Sequence, residues 1–462
     1  MKPQVIRTCG LILLLLTACA THRTVGTSPA PAAAWNPPAD TLQPATPQSR
    51  EDLVLPANFA PGMRLSLADV VDVALSNNPT TRIAWLQARS AEALLGSRES
   101  AYLPDINAGA QIFRSRESQS PAQTTYGPSA SLNELLFDFG GREASVEGAR
   151  QALIASNLLH NQAIQDVILR TEQAYYSYLD ARALLAAQDA TLKERQTSLD
   201  AAEARHNAGV ATIADVLQAR TAYSQAQLNR ESIEGSLHTI EGELATTMGL
   251  PATARFDFGE LPVEVPARQT REAVDALISR AIADRPDLAA VRATAEAARV
   301  RVREVRSSFL PTVNFSSSVA RSHASGGNST TPYSIGVALR WPVFTGFRNI
   351  YDVRQAEADA QIAREDVRAL EQQVNLQVWT SFFALQTAEQ RLATARDLLT
   401  SAQQSADVAT SRYRSGVGSI LDLLTAEAAL ESARAQEVQA RTDWFLSVAQ
   451  LAHDTGTLQP LK

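Results

Sequence analysis

The sequence predicts a mainly α-helical, internally duplicated chain that also contributes four β-strands to a transmembrane barrel. Three observations lead to this fold class: landmarks recur at one constant spacing, two long stretches lack proline, and paired segments alternate apolar with polar residues. Proline breaks helix interiors, and strict alternation is the period of a half-buried strand. Each copy is therefore predicted to hold one helix, two strands and a very long helical stretch.

Composition excludes several classes of protein. The chain has 462 residues, 45% of them hydrophobic and 20% charged, with a net charge of −7 and no basic run, so a nucleic-acid partner is not expected. Its two cysteines, Cys9 and Cys19, exclude a disulfide framework in the body of the chain. The six histidines stand far apart, and no serine elbow, phosphate loop or HExxH motif occurs. We expect no enzyme activity, no metal and no cofactor.

The N-terminus has the pattern of an export signal, with two basic residues, a short leucine-rich core and then Cys19. The run Leu16–Cys19 resembles the lipobox of bacterial lipoproteins, which implies that Cys19 is the acylated first residue of the mature chain. Ala20 follows it, where an aspartate would imply the inner membrane, so the resemblance implies the outer membrane. The alternative is an ordinary signal with an accidental cysteine. We predict a signal peptide over 1–18 and an extended, Pro/Ala-rich tether over 19–64.

The rest of the chain is two copies of one design. Landmarks recur 207 residues apart, a spacing that indicates a duplicated domain rather than a solenoid repeat. We predict repeats over 65–250 and 272–457, separated by a linker over 251–271 and followed by a tail over 458–462. The matched landmarks are Pro79 with Pro286, Leu103-Pro104 with Leu310-Pro311, Phe137 with Phe344, Gly209-Val210 with Gly416-Val417, Asp215 with Asp422, and Leu217 with Leu424.

Long helices are predicted from the distribution of proline. None occurs between Pro128 and Pro251 or between Pro342 and Pro460. In the second stretch, small and apolar residues from Val353 to Tyr413 follow spacings of three and four, as in a coiled coil. A helix over about Arg348–Arg414 would be about 100 Å long, at 1.5 Å per residue.

Alternation predicts the strands. Segments Pro311–Ala320 and Tyr333–Val343 each have one apolar face, and Trp341 and Tyr333 are placed like anchors at a membrane interface. Polar loops are expected over Ser115–Tyr126 and Arg321–Pro332. An open four-stranded sheet cannot lie in lipid with unpaired edges, so a dimer or a trimer must close it. The alternative is a small soluble hairpin.

Three sets of motifs recur in the two copies: Arg205–Val210 with Asp215–Ala219, Arg412–Val417 with Asp422–Ala426, and the strand-to-helix turns Phe137–Arg142 and Phe344–Arg348. Together with the features above, these motifs resemble those of the TolC-like outer-membrane efflux proteins, from about Leu65 to Thr457. The resemblance implies a homotrimer with one twelve-stranded barrel in outer-membrane lipid and a periplasmic helical tunnel. It also implies a periplasmic adaptor protein at the helical tips and an inner-membrane pump reached through that adaptor.

The two tip motifs supply the candidate site residues. Gly209 and Gly416 interrupt strong helix formers, as required where a chain reverses. Asp215 and Asp422 follow in the first turns of the returning helices, where a carboxylate suits the helix dipole. They are either simple helix-start charges or a ring of carboxylates around a pore mouth.

The resemblance implies gate roles at the second tip, but this sequence departs from the family pattern there. The resemblance aligns Asp422 with a constriction aspartate and Tyr413 with a residue of the closing hydrogen-bond network. Gly418 stands where an arginine would latch the tip, and Thr425 where a second acidic residue would lie. Arg412 or Arg414 could take the place of the missing arginine.

The expected function is a passive exit duct of a tripartite efflux or type I secretion system. The main alternative is a structural, periplasm-spanning coiled-coil lipoprotein without a pore. That alternative explains the helices but not the alternating strands.

Overall fold

A computed structural model describes residues 27–33, 64–116, 122–262, 273–325, 327 and 329–458. The signal peptide, Cys19 and most of the predicted tether lie outside the described residues. The helices are α1 (Leu67–Asn77), α2 (Pro79–Glu99), α3 (Gly141–Asn207), α4 (Ile213–Thr247), α5 (Val274–Asp284), α6 (Pro286–Ser307), α7 (Arg348–Arg414) and α8 (Ile420–Asp454). The strands are β1 (Arg64–Leu65), β2 (Asp105–Ser115), β3 (Gln123–Phe137), β4 (Asp257–Phe258), β5 (Thr312–Ala320), β6 (Ser322–Ala324), β7 (Ser329–Thr330) and β8 (Tyr333–Arg340).

The order of these elements confirms the predicted duplication. Each copy has two helices, a pair of long strands, a helix of 67 residues and a helix of 35 residues. Pro79 and Pro286 are the first residues of α2 and α6, a position where the missing N–H costs nothing. The predicted helix Arg348–Arg414 is present with those bounds, and every residue of its predicted seam is buried or half-buried.

The chain divides into two compact units. Unit 1 comprises residues 1–48, 85–158 and 290–367, and unit 2 comprises 49–84, 159–289 and 368–462. The long strands belong to unit 1, and both helical tips belong to unit 2.

Unit 1 is built around an antiparallel sheet with the long strands in the order β2-β3-β5-β8. The predicted loops are shorter than expected. Strand β3 already begins at Gln123, inside the first predicted loop, and the short strands β6 and β7 lie inside the second. These extra strands extend the sheet because β6 pairs with Thr125 and Tyr126 of β3.

The strand register separates an apolar face from a polar face. Residues paired across neighbouring strands share a face. One face carries Val313 with Leu339, Phe315 with Val337, and Val319 with Tyr333; the other carries Ser316 with Gly336, Asn314 with Ala338, and Ser318 with Ser334. Glu134, opposite Phe315, is a charged exception on the apolar face. The predicted alternation is therefore confirmed in β5 and β8.

The described part of the predicted tether is not extended. Residues 27–33 form a turn in which the buried Ser28 hydroxyl donates a hydrogen bond of 2.9 Å to the Ala30 carbonyl. The indole Nε1 of Trp85, in α2, donates a hydrogen bond of 2.7 Å to the Ser28 carbonyl. Composition favoured an extended chain here, but these local and helix contacts outweigh that preference.

Unit 2 contains the largest apolar clusters, in which α3 and α4 pack with α1, and α5 and α7 pack with α8. A histidine joins α3 to the end of α8: Nε2 of His453 lies 2.9 Å from Asp166, and Nδ1 lies 3.1 Å from Asp454. Burial favours the neutral ring, but the two carboxylates outweigh that effect and raise the pKa of His453 to about 9. None of the described helices contains a stretch long and apolar enough to cross a bilayer.

Candidate functional site

Both helical hairpins of unit 2 reverse through the same backbone motif. At the first tip, the Val210 N–H donates to the Arg205 carbonyl at 3.0 Å and the Gly209 N–H donates to the His206 carbonyl at 2.8 Å. Gly209 has a φ of 74°, a conformation that glycine adopts without a steric cost. These two hydrogen bonds define a Schellman C-cap.

The second tip repeats this motif. The Val417 N–H donates to the Arg412 carbonyl at 3.0 Å, and the Gly416 N–H donates to the Tyr413 carbonyl at 3.1 Å. Gly416 has a φ of 82°. The prediction that these two glycines end the long helices is confirmed.

Each returning helix begins with a capping box that includes the predicted aspartate. Asp215 and the Thr212 side chain each accept a hydrogen bond from the other residue's backbone N–H, and Asp422 and Ser419 form the same reciprocal pair. The location of both aspartates in the first helical turn is confirmed. The second carboxylate oxygen of each side chain is not part of the capping box, so a helix-start role leaves room for a second role.

One apolar cluster supports both tips. Its buried members come from all four helices, so the two hairpins meet behind the turns. Val216 and Leu423, the residues that follow Asp215 and Asp422, are both in this cluster. The cluster is formed by Leu199, Ala202, Val216, Ala219, Tyr413, Ile420 and Leu423.

An arginine of the first repeat contacts the tyrosine of the second. Nη1 of Arg205 donates a hydrogen bond of 3.0 Å to the Tyr413 carbonyl, and the guanidinium lies 5.0 Å from the centre of the Tyr413 ring. The Tyr413 hydroxyl is buried and has no hydrogen-bond partner among the described residues. Sequence analysis missed this role of Arg205, although Arg205 is in the first tip motif.

The two arginines proposed to replace the missing latch arginine lie on the surface of the second tip. Arg412 and Arg414 are exposed, and the side chain of neither forms an ion pair with a described residue. Gly418 donates its N–H to the Arg412 carbonyl at 3.0 Å, and a Cβ there would lie 3.1 Å from that carbonyl carbon. The close backbone approach therefore explains glycine at position 418.

A buried ionic network lies behind the second tip. Arg195, whose side chain is only 5% exposed, donates to Glu427 at 2.8 Å, to the Leu424 carbonyl at 3.2 Å and to Glu431 at 3.4 Å. The Ser198 hydroxyl donates to the other Glu427 oxygen at 2.6 Å. Burial raises the pKa of Glu427, while Ser198 and Arg195 oppose that shift. This network joins α3 of the first repeat to α8 of the second.

The outer surfaces of the tips carry exposed apolar side chains. Five large aliphatic residues are exposed there: Val210, Ile213, Leu217, Val417 and Leu421. A groove of about 640 Å³ runs beside them between α4 and α8, lined by residues that include Leu217, Gln225, Leu421 and Glu431. Exposed apolar patches of this kind mark interaction sites.

The described residues contain no group of three or more histidine, cysteine, aspartate or glutamate side chains arranged to hold a metal ion. The candidate site consists of the two helical tips, which are held by apolar packing and backbone hydrogen bonds and carry the carboxylates of Asp215 and Asp422.

Comparison with known proteins identifies this architecture. The family model for outer membrane efflux proteins matches residues 70–250 and 277–457. The chain belongs to this family. Among its relatives, the outer membrane efflux protein BepC of Brucella suis is 26% identical over 369 residues, which are 78% of each chain. The outer membrane protein OprJ of Pseudomonas aeruginosa is 26% identical over 443 residues, 92% of this chain and 90% of the relative.

Solved structures of other outer membrane proteins have the same fold. The outer membrane protein VceC of Vibrio cholerae superposes with a TM-score of 0.75 at 22% identity, covering 84% of this chain and 96% of that one. The open state of the Neisseria gonorrhoeae MtrE outer membrane channel gives a TM-score of 0.70 at 21% identity, covering 85% and 90%. As a member of the family this protein is an outer-membrane efflux channel, and the pore-less scaffold is disfavoured.

Proposed function

We propose that three copies of this chain form a passive exit duct, lipid-anchored at Cys19, that spans the outer membrane and reaches into the periplasm. The four long strands of each copy close one twelve-stranded barrel, and the long helices form a periplasmic tunnel. The duct has no energy source of its own. An adaptor protein docks at the tips and links it to an inner-membrane pump.

The observation that carries this proposal is the sheet with one apolar face and two free edges. β2 and β8 each pair with only one strand among the described residues, so a single copy leaves a row of backbone groups unpaired on both sides. In lipid each unpaired group costs several kcal/mol, and only a closed barrel avoids that cost. Copies that pair β2 of one chain with β8 of the next satisfy both edges.

The exposed tip surface supports adaptor docking. Its aliphatic residues are exposed, and the neighbouring groove is lined in part by the apolar side chains of Leu217, Leu421 and Leu424. A helical hairpin with an apolar stripe matches this surface.

Purified protein in a planar bilayer tests the duct directly. We expect discrete conductance steps from a homotrimer, with the mass in detergent measured by native mass spectrometry. A protein that forms trimers without conductance would support a scaffold instead, and a dimer would contradict the twelve-stranded barrel.

We also propose that Asp215 and Asp422 of three copies form a carboxylate ring at the pore mouth. Two like charges about 4 Å apart repel by roughly 4 kcal/mol at an effective dielectric of 20, and resident cations reduce that cost. Asp422→Asn should therefore lower cation selectivity and weaken block by divalent cations. The amide can still accept the Ser419 N–H bond, so the helix start is preserved.

Reversal potentials in asymmetric salt measure this effect. Asp69→Asn is a matched control, because Asp69 closes the same kind of capping box with Ser66 at the start of α1, away from the tips. If Asp422→Asn shifts the reversal potential no more than Asp69→Asn does, Asp422 is only a helix-start charge.

A further inference from the structure

An arginine stands at the same place in both repeats, at the end of the long strands that lies away from the helices. Arg114 is in β2 and Arg321 directly follows β5, and 207 residues separate them, which is the spacing of the duplication. A tyrosine recurs with each arginine, because Tyr126 of β3 and Tyr333 of β8 are also 207 residues apart. Both repeats therefore end this side of the sheet with the same two residue types.

Arg321 continues the apolar face of the sheet. Side chains two residues apart on a strand share a face, so Arg321 follows Val319 on that face. The Arg321 N–H donates to the Pro128 carbonyl at 2.9 Å. Two residues later, His323 is paired with Tyr126 in the same register. Since no shift intervenes, Arg321 is the residue that ends the run of apolar side chains along this strand.

Arg114 ends the same face in the first repeat. It follows Ile112, which is paired with Tyr126 of β3. Tyr126 shares a face with Ala130, four residues further along β3, and Ala130 is paired with Val319. The pairing of the strands therefore places Arg114 on the apolar face as well.

The two arginines lie at the distance expected for the far edge of a membrane. Arg114 comes nine residues after Asp105, the first residue of β2, and Arg321 comes nine residues after Thr312, the first residue of β5. Nine steps of about 3.3 Å along a strand tilted by about 40° rise about 23 Å, close to the apolar band of about 25 Å in transmembrane barrels. An arginine on the lipid side is destabilising at the middle of a bilayer but costs little at its edge. In a barrel of that kind, both arginines reach the headgroups on the side away from the helices.

The side chain of neither arginine has a partner among the residues that the structure describes. Both side chains are exposed, and neither forms a hydrogen bond or an ion pair there. The hairpin ends, 114–126 and 321–333, contain three arginines and one glutamate, a net charge of +2 with histidine neutral, on a chain whose net charge is −7. The glutamate, Glu117, lies outside the described residues. This end of the sheet therefore has an excess of positive charge that an anionic ligand would neutralise.

We propose that Arg114 and Arg321 bind the phosphates of lipid A, the bis-phosphorylated glycolipid in the outer leaflet of an outer membrane. This inference rests on the proposed function, because the strands must cross that membrane for the arginines to reach its outer leaflet. The planar guanidinium binds a phosphate through two parallel hydrogen bonds, and its aliphatic stem covers apolar surface beneath it. Three copies present six such arginines around one barrel.

Binding of fluorescent lipid A to the full-length protein in detergent tests this assignment. The lipid is presented in micelles of an uncharged detergent, either in its bis-phosphorylated form or after removal of both phosphates. The variants are Arg114→Gln/Arg321→Gln and, with the charge kept, Arg114→Lys/Arg321→Lys. Arg340→Gln is the matched control, because Arg340 is an exposed arginine of β8 that pairs with Thr312 at the end of the sheet nearest the helices.

Each arginine at an anionic lipid surface contributes about fivefold in affinity, so the double glutamine variant should bind bis-phosphorylated lipid A about 30-fold more weakly than the natural protein. The single variants Arg114→Gln and Arg321→Gln should each lose about fivefold, and they replace the double variant if it does not fold. The double lysine variant should bind with intermediate affinity, because lysine keeps the charge but lacks the planar fork. Arg340→Gln should bind like the natural protein.

The dephosphorylated lipid and free phosphate identify the ligand. The natural protein should bind dephosphorylated lipid A about 30-fold more weakly than the bis-phosphorylated form, and inorganic phosphate at the same concentration should not displace the lipid. Equal affinity for the two forms, equal affinity of the natural and the double glutamine proteins, or full displacement by inorganic phosphate would each overturn the inference.

Native mass spectrometry and bilayer conductance of the same preparations test the proposed function separately. The glutamine variants should still form conducting trimers, because the substituted side chains are exposed at the edge of the sheet. A conducting trimer whose binding of lipid A does not depend on Arg114 and Arg321 refutes this inference alone. If the natural protein forms neither trimers nor conducting channels, the proposed function itself is contradicted.

Discussion

Replacing Arg205 with alanine should open the helical tips. Arg205 reaches across from the first repeat and contacts Tyr413 of the second through one hydrogen bond and its ring face. A hydrogen bond from a charged group contributes about 1.5–3 kcal/mol, and a half-exposed cation–π contact about 0.5–1 kcal/mol. A loss of about 2 kcal/mol per chain corresponds to a change of roughly 30-fold in the ratio of open to closed tips.

The effect multiplies if the three tips of a trimer open together. Three losses of about 2 kcal/mol add to about 6 kcal/mol, which is roughly four orders of magnitude in the equilibrium. Single-channel recordings of purified protein should then show a predominantly high-conductance state in Arg205→Ala where the natural protein is mostly closed. Arg205→Lys should fall between the two, since lysine keeps the charge but lacks the planar guanidinium.

Two variants serve as controls for this prediction. Arg220→Ala removes an arginine on α4 that is 59% exposed and pairs with Glu203 at 2.8 Å, a surface contact that contributes about 0–1 kcal/mol. Tyr413→Phe removes only a hydroxyl that has no partner among the described residues. Both should conduct like the natural protein. If Arg205→Ala conducts like the natural protein, or if Arg220→Ala opens the channel equally, the contact between Arg205 and Tyr413 does not hold the tips closed.

Three further predictions concern stability and the lipid anchor. His453 has a pKa of about 9 in the fold against about 6.5 unfolded, so it contributes about 3 kcal/mol to the free energy of unfolding. This contribution should be complete below pH 6.5 and lost as the pH rises to 9. Denaturant unfolding should show the loss in the natural protein and not in His453→Gln. Arg195→Met should destabilise the fold by about 3–5 kcal/mol because Glu427 is left buried and unpaired. Arg195→Met/Glu427→Leu should recover most of that stability. Without such recovery, the unpaired charge of Glu427 is not the cause of the destabilisation. Intact-mass measurement of membrane-extracted protein should show a lipid adduct on Cys19, and an unmodified chain that starts elsewhere would contradict acylation.

The succession of helices and turns in this protein could be predicted from its sequence because the signals that determine it are local. A helix needs only uninterrupted helix formers and an apolar stripe, and the seam ending at Tyr413 supplies both. Gly209 and Gly416 mark the turns, because a residue in the left-handed conformation ends a helix whatever it packs against. The 207-residue spacing then transfers each conclusion from one repeat to the other.

The contacts between the repeats depended on the tertiary structure. Arg205 and Tyr413, or Arg195 and Glu427, are more than 200 residues apart, and their meeting depends on how far one helix is displaced along its neighbour. Alanine-rich seams accept displacement by a whole turn almost equally well, so the pattern alone cannot select one. The sequence therefore pointed to Arg412 and Arg414 on the same helix, whereas the arginine that contacts Tyr413 in the fold is Arg205 of the other repeat.

Some features of the strands could likewise be predicted from the sequence, and others depended on the tertiary structure. Alternation in β5 and β8 determined which residues share a face, because that period is local to one strand. The register shift that returns Phe137 to the apolar face, and the positive φ of Phe139 and Phe347, arise where a strand is joined to a helix. Those features follow from the geometry of that junction, which only the folded chain determines.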